Sequence, residues 1–167
     1  MSARLIYRNT ADSAAIHTST AEVDFDKTVD LGAHGLRAGD VIKWEASGKH
    51  STTPGTPTLT LKFKIGTIVV ASSGALTCAN DASSLPWQLN GSCTIRVGGA
   101  SATGSTDARC FLATAASTDL TAIIRTAVSG NQATQTLAKV SAQWSASSAS
   151  NTTTLENLRV WIENSAS

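Results

Sequence analysis

From Thr58 to Ile65 the chain alternates strictly. Leu59, Leu61, Phe63 and Ile65 fall on one side, and Thr58, Thr60, Lys62 and Lys64 on the other. A period of two residues marks a strand with one face buried. Gly66 and Thr67 interrupt the run before Ile68, Val69 and Val70 resume it, which predicts a tight hairpin with glycine in the left-handed backbone region. In residues 41–47, Ile42, Trp44 and Ala46 point inward against Lys43 and Glu45. In residues 87–97, Trp87, Leu89, Cys93, Ile95 and Val97 share a face with Gly91, whose place inside a strand suggests a bend or bulge. Residues 108–112, 138–144 and 155–163 alternate too, the last with Leu158, Val160 and Ile162 inward, while residues 4–8, 22–29 and 121–126 alternate more weakly. Turn-forming Gly, Pro, Ser, Thr, Asn and Asp punctuate the runs at 36–40, 51–57, 97–105, 129–131 and 145–151. No window carries an apolar stripe at helical spacing, and a single short helix is expected around residues 12–15.

These elements predict an all-β fold, an antiparallel two-sheet sandwich of jelly-roll-like form with about eight to ten strands. No period of 20–50 residues repeats, which argues against a propeller or solenoid. Residues 1–22, with weak patterning and small side chains, are expected to form an N-terminal arm, and residues 23–167 the sandwich domain.

Composition narrows the functional classes. The 167 residues suit one domain, yet Ile, Leu, Val and Phe number only 34, against 21 Ser, 23 Thr and 26 Ala. A core so sparing of large side chains favours self-association, because shared interfaces bury more surface and cover strand edges. The formal charge of +1 offers no basic excess for a phosphate backbone, so no nucleic-acid partner is expected. No apolar run is long enough to span a bilayer, so no membrane partner is expected either. The opening residues lack the apolar stretch of a secretory signal. Cys78, Cys93 and Cys110 are odd in number and match no metal spacing, which points to reduced thiols and synthesis in a cytoplasm.

Candidate chemistry is sparse. Glu22, Asp24 and Asp26 line one side of an extended chain, with Asp30 nearby. Such a row supplies too few oxygens for Ca²⁺ and reads better as a solvated strand edge than as an ion site. His17, His34 and His50 are scattered over loop-like or arm segments, and no zinc or hydrolase motif accompanies them. The glycines of 98–104 open no helix that could cradle phosphate and read as a hairpin tip. No catalytic residue, cofactor or metal is therefore expected, and the chain does not read as an enzyme. Trp44, Trp87 and Trp144 hold inward parity, as core fillers do. Trp161 and Phe111 are out of phase with their neighbours. They mark either strands buried on both faces or a contact with another chain or a sugar.

Several segments together carry a resemblance: Leu36-Arg37-Ala38-Gly39-Asp40-Val41-Ile42, the run from Ser51 through Thr53-Pro54-Gly55-Thr56-Pro57 to Gly66, Trp87-Gln88-Leu89, the run from Gln143-Trp144 to Asn151-Thr152, and the closing strand. Over approximately residues 35–163 the pattern resembles small jelly-roll virion structural proteins of tailed bacteriophages, usually trimeric, which serve as head cement or decoration proteins or as fibre and spike segments. The resemblance implies a homotrimer on the outer capsid surface, made in the host cytoplasm, that binds the major capsid protein and stabilises the shell. It carries no catalytic residues. Arg4, Leu5, Ile6, Tyr7 and Arg8 of the arm, with Phe111 and Trp161, are the expected interface residues. The alternatives are a tail or head fibre module that binds host glycan, or a carbohydrate-binding module.

Overall fold

The computed structural model describes residues 3–114, 119–131 and 133–164; residues 1–2 of the expected arm and 165–167 of the expected domain lie outside them. Its strands in chain order are β1 (Ala3–Arg8), β2 (Ile16–His17), β3 (Val23–Asp30), β4 (Val41–Ser51), β5 (Thr58–Ile65), β6 (Ile68–Ser72), β7 (Leu76–Thr77), β8 (Leu85–Val97), β9 (Ala102–Ala113), β10 (Asp119–Gly130), β11 (Leu137–Trp144) and β12 (Thr152–Glu163). They form two antiparallel sheets. The larger runs β1-β12-β4-β8-β9-β10, with β2 also on β12, and the smaller runs β3-β11-β5-β6, with β7 also on β5. The protein is an all-β sandwich, and the Gly66 hairpin forms as the pattern predicts, with Ile65 opposite Ile68 and Gly66 at φ 60°.

Aromatic side chains join the two sheets. Trp44 of β4 stacks on Phe63 of β5 with ring centroids 4.2 Å apart and planes 2° from parallel. Trp87 of β8 stacks on Phe25 of β3 at 6.0 Å and 21°. Each indole lies beside a glycine directly across the β4–β8 ladder, where Trp44 pairs with Gly91 and Trp87 with Gly48. A Cβ on Gly91 would strike the Trp44 ring and Ala108, and one on Gly48 would strike the Trp87 ring and the Thr154 carbonyl. The two glycines are seats for rings. The Trp87 indole N–H also donates to the Thr153 hydroxyl at 3.0 Å.

Several expectations need correction. Among the described residues twelve strands form rather than eight to ten, because β2 and β7 are two-residue pairings and β1 adds an edge. Gly91 makes no bend: its pairing with Trp44 and with Ala108 stays in register. Val97 is 49% exposed, since a bulge between Ile95 and Val97 inserts a residue and reverses the parity. No helix forms at residues 12–15. There Ser13 exchanges bonds with Leu155 instead, donating its N–H to the carbonyl and accepting the Leu155 N–H at its hydroxyl. Asn9 likewise accepts the Leu158 N–H and donates to the Glu156 carbonyl. The stretch expected as an arm therefore lies along β12, with β1 as the edge of the larger sheet. His50, expected in a loop, occupies an inward position of β4 and is 1% exposed.

Truncating the inter-sheet contact should be costly: Phe63→Ala should lose about 3–5 kcal/mol of unfolding free energy in a urea titration. Val97→Ala should stay within about 0.5 kcal/mol. Comparable losses in the two variants would contradict the assignment of Phe63 to the core and Val97 to the surface.

Candidate functional site

The inner faces are filled by core, so the outer faces are where chemistry could occur. On the smaller sheet, alternation puts Lys62 and Lys64 of β5 outward, and register sets Lys64 opposite Lys139 of β11. Like charges directly across a ladder repel. The acidic residues relieve this: Asp24 accepts from Lys139 at 2.5 Å and from Lys64 at 3.3 Å. Glu22 accepts from Lys62 and Lys64, both at 2.5 Å, and from the Ser141 hydroxyl at 2.9 Å. Burial raises the Glu22 pKa, but those hydrogen bonds and the Lys64 charge outweigh it and hold the carboxyl at about 2. Burial lowers the Lys64 pKa, and Glu22 and Asp24 more than reverse that, so its ammonium is favoured. Asp26 pairs with Lys27 at 3.2 Å, and Asp30 accepts the Gly32 N–H. The row read from the sequence as a solvated acidic edge is thus engaged with lysines and backbone, and among the described residues no three His, Cys, Asp or Glu side chains are placed to share a metal ion.

The outer face of the larger sheet is ordered in rows set by register. Trp161, Lys43, Ser92 and Asp107 form one row; Arg159, Glu45, Asn90 and Arg109 the next; Asn157, Ser47, Gln88 and Phe111 the third. Trp161 and Phe111, both half-buried, thus stand at opposite corners of a polar floor, three strands apart. Two shallow adjoining hollows of about 310 and 370 Å³ share Glu45 and Asn90 and run across β12, β4 and β8. Lys43 bonds Glu163 at 2.6 Å and Arg159 approaches Glu45 at 3.7 Å. Asn157 donates to Ser47 at 3.4 Å.

The expected arm residues divide. Leu5 faces outward beside Trp161 and is 47% exposed, and Arg4 and Arg8 are exposed. A bulge between Leu5 and Tyr7 turns Ile6 and Tyr7 toward the core, where both are partly buried. Ile123 of β10, absent from the sequence-based candidates, is 67% exposed opposite Arg109. Its neighbour Ile124 takes the inward place, and the pair of isoleucines concealed which one faced solvent. Burial pushes the Cys78 and Cys110 thiols up to about 12 and also raises Cys93, so all three stay protonated and poorly nucleophilic. No family model matches the chain, and no curated protein and no solved structure matches it either.

A buried imidazole and a half-buried, ion-paired carboxylate give the stability a pH dependence with separate windows. Burial lowers the His50 pKa from 6.5 to about 4, only partly offset by the Leu85 backbone, so the folded protein holds the ring neutral while the unfolded chain protonates it. Its contribution is complete above about pH 6.5 and is lost as pH falls toward 4, by up to about 3 kcal/mol. Glu22, lowered from 4.5 to about 2, contributes fully above pH 4.5 and loses that only below it. His50→Leu should flatten the melting temperature between pH 6.5 and 4.5, and Glu22→Gln should flatten it below 4.5. An unchanged slope in either variant would refute the corresponding assignment.

Proposed function

We propose that the chain is a structural protein of a tailed-phage virion, a head cement or decoration protein that acts without catalysis. It forms a homotrimer on the outer capsid surface, braces neighbouring subunits of the major capsid protein, and is made in the host cytoplasm. We read the sandwich as a jelly roll. The observation that carries this reading is that both outer strands of the larger sheet hold large apolar side chains in solvent. β10, twelve residues in unbroken register with β9, displays the 67% exposed Ile123. β1, the opposite edge, displays Leu5 between Arg4 and Arg8. Outer strands that hold large apolar side chains in solvent offer other chains a surface to cover. A protein that works in a lattice covers them with sister subunits at β10 and with capsid at β1. A chain that binds the assembled shell and not its separated parts stabilises that shell by linkage.

The structure also sets the design of the test. Deleting residues 1–22 would strip β1 and the Asn9 and Ser13 bonds from β12, so single substitutions are cleaner. Light scattering should give three times the 17.2 kDa chain mass, and Ile123→Lys should return it to a single chain with unchanged strand content. On purified heads, Leu5→Asp should lower occupancy while the trimer persists. A monomeric wild-type chain, or one absent from purified particles, would reject the proposal.

A further inference from the structure

The three outward rows on β12, β4 and β8 have a use beyond contact between protein subunits. We infer that this groove binds a neutral oligosaccharide, with Trp161 as its stacking platform. The groove is built from planar polar groups: the carboxylates of Glu45 and Glu163, the amides of Gln88, Asn90 and Asn157, and the Arg159 guanidinium. Such groups engage vicinal hydroxyls two at a time. Trp161, half-buried and lining the first hollow, offers the complementary apolar surface for the C–H side of a pyranose ring, with Leu5 of β1 paired opposite it.

Charge excludes the competing ligands. Lys43 and Arg159 are matched by Glu163 and Glu45 within the groove, so no net field draws a phosphate backbone or an acidic polysaccharide. A protein surface is a poorer fit, because the floor between the two aromatics is a continuous polar grid rather than an apolar patch ringed by polar residues. Size agrees. Three rows spaced two residues apart span about 14 Å, the length of a short oligosaccharide, at ~3.4 Å per residue. The adjoining hollows of about 310 and 370 Å³ reach the range of small-ligand sites. The ion pairs and the Asn157–Ser47 bond already hold the side chains across the strands, which reduces the ordering left to binding.

Tryptophan emission isolates the site. Trp44, Trp87 and Trp144 are buried, so a saccharide-induced change in emission reports on Trp161. The intact chain is titrated with gluco-, galacto- and manno-oligosaccharides of two to four units, and with heparin as an acidic control. The inference predicts a saturable emission change with at least one neutral series and none with heparin. By calorimetry, Trp161→Ala should weaken that binding by about tenfold or more, the scale of one lost stacking contact. Asn90→Ala should weaken it as well, with the melting temperature of both variants unchanged. Silence toward every neutral series, binding confined to heparin, or binding that survives Trp161→Ala would overturn the inference. A trimer that occupies heads but ignores saccharides refutes this inference alone, whereas saccharide binding by a chain absent from particles refutes the virion role alone.

Discussion

Each of two indoles needs a neighbour with no side chain, and the rest of the molecule is arranged around that requirement. Trp44 and Trp87 belong to adjacent strands of the larger sheet, and each points across the sandwich to a phenyl ring of the smaller one. Each ring lies over the residue paired with it across the β4–β8 ladder, and the register supplies Gly91 and Gly48 at those positions. A one-residue slip would set both rings against side chains and turn the whole inward set to solvent. The same contacts that join the sheets therefore also set the pairing of the central strands. A chain with few large aliphatic residues gains most from this device, because aromatic rings bury much area per residue.

That register passes outward. Once Trp44 is fixed opposite Gly91, Lys43 must face Ser92 and Glu45 must face Asn90, and the pairing of β12 with β4 brings Trp161 and Arg159 into the same rows. The outer grid is a consequence of inner packing, although its residues contribute little to the core. Substitutions on that grid can accordingly change what the face binds while the fold persists. The outer strands are a separate matter: β1 and β10 lie farthest from the stacked rings in the larger sheet, and there it exposes Leu5 and Ile123.

Alternation alone makes β5, most of β4 and β12 from Leu158 onward legible, since each buries one face without interruption there; a bulge between Leu155 and Asn157 breaks the parity of β12 before that. The misreadings share a cause, which is that one residue type can serve two ends. The strand expected over residues 41–47 continues through Gly48 to Ser51, and Gly91, expected as a bend, stays in register; each glycine is explained by the facing indole together with the strand on its other side. Val97 was misplaced because a bulge adds one residue without a local signal. β1 and β2 were obscured because Asn9 and Ser13 side chains complete their attachment to β12, and small polar residues leave no periodic trace. Parity did identify Trp161 and Phe111 as outward-facing. Their neighbours come from strands distant in sequence, so neither the groove nor the lysine–carboxylate network could be assembled without the sheet order.

The most direct measure of the central claim is a double-mutant cycle on Trp44 and Gly91, read by urea denaturation. If Gly91 is a seat for the indole, Gly91→Ala should destabilise the native protein by about 1–3 kcal/mol through overpacking. Ala108 stays in the way in either background, but the cost should fall once Trp44→Leu has removed the ring, giving a coupling of about 1 kcal/mol or more. Equal costs in the two backgrounds would show that the ring and the glycine act independently, and the account of the fold given above would be wrong.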